Sequence, residues 1–177
     1  MIKLNNQVFS KLQKMKKIGL LSDTHGYIDD KILEFFKDCD EIWHAGDIGN
    51  IAIADKLSEI AKLRAVYGNI DGTEVRSVYK KDERFKCEDL DVWITHIGGY
   101  PKRYDVMVRE RIKNNPPDIF ISGHSHILKV MNDKELSLLH INPGASGKSG
   151  LHQVRTAVRF IIDGKDIRDL EVWEMER

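Results

Sequence analysis

Seven side chains of metal-binding type recur along the chain in short polar clusters: Asp23 and His25, Asp47, Asn69, His96, then His124 and His126. Carboxylate, imidazole and amide donors without thiolate suit Mn²⁺, Fe, Zn²⁺ or Ni²⁺ rather than Ca²⁺, with Mn²⁺ the favoured ion. Each residue alone has a plainer reading, because a lone Asp after an apolar run usually caps a turn or helix and a lone His usually packs or faces water. The pattern carries the inference: every cluster directly follows a short apolar run, so the set supplies donors for two ions from five successive chain segments. Gly46, Gly68 and Gly123 stand immediately before Asp47, Asn69 and His124, where tight turns and close backbone approach are needed.

The apolar runs themselves, at 17–22, 41–45, 64–67, 92–95 and 119–122, read as buried strands. Helical spacing of apolar residues over 28–36 and 51–63 separates the first three, and a further helix is expected over 104–113, stopped by Pro116-Pro117. Strand, helix, strand, helix, strand argues for parallel pairing with right-handed crossovers and an α/β sheet. In such sheets the carboxyl ends of the strands face the ligand crevice, so residues distant in sequence converge there. Strands are also expected at 85–88, 128–131, 136–141, 157–162 and 167–173, with Asp163-Gly164 as a turn. The charged run 80–83 reads as a solvated turn.

A chain of 177 residues with 41% hydrophobic content fits one domain over 15–177, preceded by an extension of residues 1–14 whose loss would leave the core intact. Lys+Arg and Asp+Glu both number 28, so there is no basic excess for many phosphate-backbone contacts, and nucleic acid is not an expected partner. No apolar run approaches the roughly 20 residues of a membrane helix. The N-terminal residues lack the pattern of a secretory signal, which points to the cytoplasm. Cys39 and Cys87 have no CxxC spacing and are expected to be buried thiols.

Taken together, Asp23-x-His25, Gly46-Asp47, Gly68-Asn69-x-Asp71, His96 and Gly123-His124-x-His126 resemble the five-part signature of calcineurin-like metallophosphoesterases. The short length and Asn142-Pro-Gly144 resemble the small bacterial and archaeal phosphodiesterases related to a retromer subunit. The resemblance implies a four-layer αββα sandwich, two mixed β-sheets flanked by helices, with a dinuclear metal site at one sheet edge. It implies one ion held by Asp23, His25, Asp47 and His126 and a second by Asp47, Asn69, His96 and His124, with Asp47 bridging. A hydroxide held between the ions would then attack a small phosphoester. Asp47 and Asn69 would be the catalytic pair, Asn69 donating to a substrate oxygen, while Asp71 and Asn50 would support the ligands from behind.

This chain departs from the family where a His often follows the Asn and an Asp lies three residues after the bridging Asp. Here Ile70 and Asn50 occupy those positions, which removes the usual help for a poor leaving group and favours diesters. A scaffold that keeps the fold and binds a partner protein, or a phosphomonoesterase, is the alternative; retention of all seven ligands favours the enzyme. A symmetric homodimer is a general expectation for soluble proteins. Gly144-Ala-Ser-Gly-Lys-Ser149 ends like a phosphate-binding P-loop but has Asn142 where Gly is required. His44 reads as a hydrogen-bonded support. The stretch 100–104 is either a surface loop or a cationic rim for substrate phosphate.

Overall fold

The computed structural model describes residues 15–177; the extension expected over residues 1–14 lies outside them. Strands β1 (Met15–Leu21), β2 (Glu41–His44) and β3 (Lys62–Ala65) run parallel, joined by helices α1 (Asp30–Phe36) and α2 (Ile51–Ile60). After α3 (Thr73–Val78), β4 (Asp82–Cys87) leads into a second sheet with β5 (Leu90–Thr95), β8 (Ile119–Ile121), β9 (Leu128–Asp133) and β10 (Leu138–Pro143). A two-stranded hairpin, β6 (Gly99–Tyr100) and β7 (Arg103–Tyr104), and helix α4 (Val106–Asn114) bridge β5 to β8. Finally β11 (Val154–Asp163) and β12 (Asp166–Glu176) return to the first sheet.

The sheet orders are β12-β11-β1-β2-β3 and β4-β5-β8-β10-β9. Each is mixed: the parallel trio β1, β2, β3 carries antiparallel β11, with β12 beyond it, on its β1 side, whereas the trio β5, β8, β10 has an antiparallel strand on each side, β4 and β9.

Strand residues alternate between two buried faces. Ile18, Leu20, Trp43, Val92, Ile94, Ile119, Ile121 and Phe160 fill the space between the sheets. On the outer face of the first sheet, Leu21 and Ile42 meet Ile32 and Phe36 of α1 and Leu57 of α2. On the outer face of the second, Trp93 and Phe120 meet Val108 and Ile112 of α4. Burial on both faces explains why these strands read as continuous apolar runs rather than alternating ones. The result is helix, sheet, sheet, helix, the expected four layers. No helix of the described residues is long and apolar enough to cross a membrane.

Some boundaries differ from expectation. The helix expected over 51–63 stops at Ile60, because Ala61 is extended and Leu63 pairs with Ile42 in the sheet. Asp82 and Glu83, expected in a solvated turn, open β4 instead; Arg111 and Arg64 neutralise them, which makes charged residues tolerable on a sheet edge. Cys39 and Cys87 are free and buried, and burial pushes both thiols up to about 11.

Candidate metal centre

All five ligand-bearing loops leave the carboxyl ends of β1, β2, β3, β5 and β8 at the same edge of the two sheets. The turns there are sharp. Asp23, His25, Asp47, His124 and His126 all adopt positive φ, between 48° and 68°, five of the nine non-glycine residues that do so among the described residues. Such backbone costs on the order of 1–3 kcal/mol per residue and persists where the surroundings over-determine it. Two glycines are forced by close approach rather than by φ: a Cβ on Gly68 would lie 2.0 Å from Asp47 Oδ1, and one on Gly123 would lie 2.1 Å from Ser22 Oγ.

The structure brings the seven side chains together. Asp23, His25 and His126 form one cluster of potential ligand atoms; Asp23, Asp47 and His96 form another, each within 4.8 Å throughout. Asp47 Oδ2 lies 3.7 Å from His25 Nε2 and 3.2 Å from His96 Nε2, so it faces both. Asn69 Oδ1 lies 3.1 Å from His96 Nε2, and the His124 ring packs edge-on against His96 at 5.3 Å.

Whether the pocket suits cations is decided by its lone pairs. Asp23 Oδ1 is fully buried and has no hydrogen-bond partner, although His126 Nε2 is 3.2 Å away. The reason lies behind the ring. His152 Nε2 points at the Gly147 carbonyl, 3.0 Å away, so Nε2 carries the proton and Nδ1 is an acceptor. That Nδ1 sits 3.1 Å from His126 Nδ1, which therefore donates and leaves His126 Nε2 as a bare lone pair. His96 is fixed in the same sense, its Nδ1–H donating to the Ala45 carbonyl at 2.8 Å. His25 Nε2 also faces His126 Nε2 at 3.4 Å. The buried lone pairs of Asp23 Oδ1 and His126 Nε2, facing each other without a proton between them, are what a divalent ion neutralises, so the residues fit the expected metals.

Burial opposes charge on His96, yet the hydrogen bond its Nε2 donates to Asp47 and the charges of Asp23 and Asp47 hold its pKa above the usual value, so the carboxylates favour positive charge at this point, which a cation would supply in place of the proton. Burial likewise pushes the Asp47 carboxyl up, but His96 and the Ile70 N–H outweigh this and hold it below the usual range.

The loops are clamped from behind. Buried Asp71 accepts N–H bonds from Ile48, Gly49 and Gly68, tying the second loop to the third. Fully buried His44 accepts from Gly46 N at Nδ1 and donates through Nε2 to Thr24 Oγ1, which donates to the Ile48 carbonyl. Burial drops its pKa to about 4, so it stays neutral. Asn142 donates to the Gly123 carbonyl and to Ser125 Oγ, gripping the loop that carries His124 and His126. Asn50 is placed one step further out, its Oδ1 capping α2 at the Ala52 N–H. The segment 144–149 runs into β11, and Ser146 and Gly147 donate to carbonyls of Ser22 and Asp23, so it braces the first loop instead of opening a P-loop helix.

Sequence reasoning gave His152 no role, and only the fold brings it behind His126. Arg76 was also missed: it stacks on Tyr67 and donates to carbonyls of Gly68, Asn69 and Asp71, and no motif marks it.

A family model described as the calcineurin-like phosphoesterase superfamily domain matches residues 15–165. A probable metallophosphoesterase of Methanocaldococcus jannaschii is 31% identical over 134 residues, covering 72% of this chain and 67% of that protein. Among solved structures, wild-type Vps29 of Entamoeba histolytica complexed with Zn²⁺ superposes with a TM-score of 0.70 at 16% identity, covering 90% of this chain and 98% of that one. A protein described as a novel archaeal phosphodiesterase gives a TM-score of 0.64 at 24% identity, covering 89% and 99%. With its five motifs assembled at one sheet edge and its family match spanning most of the length, the chain belongs to the calcineurin-like phosphoesterase superfamily.

Proposed function

We propose that this phosphoesterase is a phosphodiesterase of the cytoplasm that works with two divalent ions, Mn²⁺ first among Fe, Zn²⁺ and Ni²⁺. The observation that carries the two-ion reading is the orphaned Asp23 Oδ1, ringed by His25, His96 and His126 with Asp47 facing both clusters. Asp23, His25, Asp47 and His126 hold one ion; Asp47, Asn69, His96 and His124 hold the other. When bound, the pair supplies charge neutralisation of phosphate oxygens and activation of water near neutral pH. Asp47 offsets the repulsion between the cations. The Asn69 amide donates to a substrate oxygen, as its exposed position beside His96 allows. Asp71 keeps the loops in register and Asn50 anchors the helix that follows the Asp47 loop.

Two features support a diester. Ile70 is 46% exposed where relatives often have a proton-donating His, so leaving groups must depart with little help. Two cavities also flank the centre: one of about 410 Å³ borders Asn69 and His96, and one of about 320 Å³ borders His124. Both share Ile97 and Asp105, giving one space to each ester arm. The likeness to Vps29 shows the fold, and a partner-binding scaffold would have no need for seven converging ligands.

The test is hydrolysis of bis-p-nitrophenyl phosphate and p-nitrophenyl phosphate by metal-stripped protein with Mn²⁺, Ni²⁺, Zn²⁺ or nothing restored. Metal-dependent turnover that favours the diester supports the proposal. Absence of turnover with every metal would contradict it.

A further inference from the structure

Resting on the diester reading, we infer that the substrate carries a second phosphate besides the scissile one, bound in the cavity between the β6–β7 hairpin and the His124 loop. This cavity, about 320 Å³, is of the size at which small-ligand sites begin. Arg103 and Lys129 line it, together with Ser125 and the metal-centre residue His124. Lys129 is half-buried, with its ammonium 3.7 Å from the centroid of the Tyr100 ring. Neither Arg103 nor Lys129 has a carboxylate within ion-pair distance among the described residues. Asp105 is the one acid in the lining, and its Oδ1 is occupied by the Met107 N–H at the start of α4.

The cations are held on a folded support. Tyr100 pairs with Arg103 across the hairpin, Ser122 Oγ donates to the Gly99 carbonyl, and buried Tyr104 donates to Asp133 at 2.7 Å. The stretch 100–104 is thus a fixed wall beside the metal centre rather than a free loop. Two uncompensated cations, one a guanidinium suited to bidentate phosphate contact, favour a phosphate over a neutral arm. The other cavity combines the apolar Tyr67, Ile97, Val106 and Met107 with Lys81 and with Arg76, whose guanidinium is bound to the carbonyls of Gly68, Asn69 and Asp71, so the two ester arms meet different surroundings.

The test compares the p-nitrophenyl diester of thymidine 5′-phosphate with the same diester bearing a 3′-phosphate, on Mn²⁺-loaded protein. The added phosphate is expected to raise kcat/KM about tenfold or more, and Arg103→Gln and Lys129→Gln each to lower that ratio about tenfold, ~1.4 kcal/mol apiece. Lys102→Gln removes the same charge from the hairpin turn, which lines a separate cavity, and should leave the ratio unaltered. A ratio near one, or an equal effect of all three variants, would overturn the inference while leaving the phosphodiesterase intact. Should no diester turn over, the phosphodiesterase fails first, and calorimetric binding of thymidine 3′,5′-bisphosphate against the 5′-monophosphate decides. Tenfold tighter bisphosphate binding that is lost in Arg103→Gln supports the second phosphate site; equal binding refutes it.

Discussion

The two sheets share a unit, a parallel trio extended by antiparallel strands, yet they furnish different halves of the site. The first contributes Asp23, His25, Asp47 and Asn69, and its two carboxylates are almost wholly buried. The second contributes His96, His124 and His126, and its loops border the cavities where substrate would lie. Both carboxylates sit on the first side, while the second shapes most of the access, joined in one cavity by Tyr67, Asn69 and Arg76. The anionic half is locked by Asp71, His44 and the 144–147 brace, whereas Ile97, the β6–β7 hairpin and the start of α4 form the surroundings. This division teaches that the site's carboxylates and most of its cavity walls are supplied by different sheets.

The largest expected effect comes from the anionic half. Asp47→Asn removes the charge facing both clusters, and kcat/KM for bis-p-nitrophenyl phosphate should fall roughly a thousandfold or more, as loss of several kcal/mol of transition-state stabilisation implies. Metal analysis of the variant should return fewer than two ions.

Next is His152→Ala, which reaches His126 of the second half from the segment before β11. The ring holding His126 in its Nδ1–H form is lost, and affinity for one ion should weaken about 10–100-fold, measured by competition with a chelator. Unaltered affinity for both ions would show that the His126 tautomer is set some other way.

A smaller effect is expected at the clamp between loops. Asp71→Ala strands the N–H groups of Ile48, Gly49 and Gly68, and should cost about 1–3 kcal/mol of stability in urea unfolding.

The smallest lies away from the site, at Glu41. Burial would raise this carboxyl, but hydrogen bonds from Lys16, Trp43 and Arg64 hold it at about 2 instead of 4.5. Its folded pKa is depressed, so the unfolded chain binds more protons between these values. The stabilisation is therefore complete above pH 4.5 and lost as pH falls towards 2. Glu41→Gln should flatten the acid limb of a stability-against-pH curve in that window.

Much of this architecture was legible because chemistry and pattern coincided. The apolar runs around Ile18, Trp43, Ile94 and Phe120 are buried on both faces, so they announced themselves as strands, and the polar residue after each marked a loop. Hairpin β6–β7 escaped because two strand residues on each side carry no period. Helix α3 is six residues long and has no side-chain cap, so nothing in its sequence signals it. Within the site, donor types were readable, but the left-handed backbone of Asp23, His25, Asp47, His124 and His126 was not, since Asp and His only tolerate that region. Asn142 was visible as a motif while its grip on the Gly123 carbonyl was not. His152 became meaningful only when β11 folded back beside β1.

The most direct test of the dinuclear centre is anomalous diffraction from crystals of the Mn²⁺-loaded protein. Two peaks are expected, one among Asp23, His25 and His126 and the other among Asn69, His96 and His124, with Asp47 between them. A single peak, or ions bound elsewhere on the surface, would contradict the account.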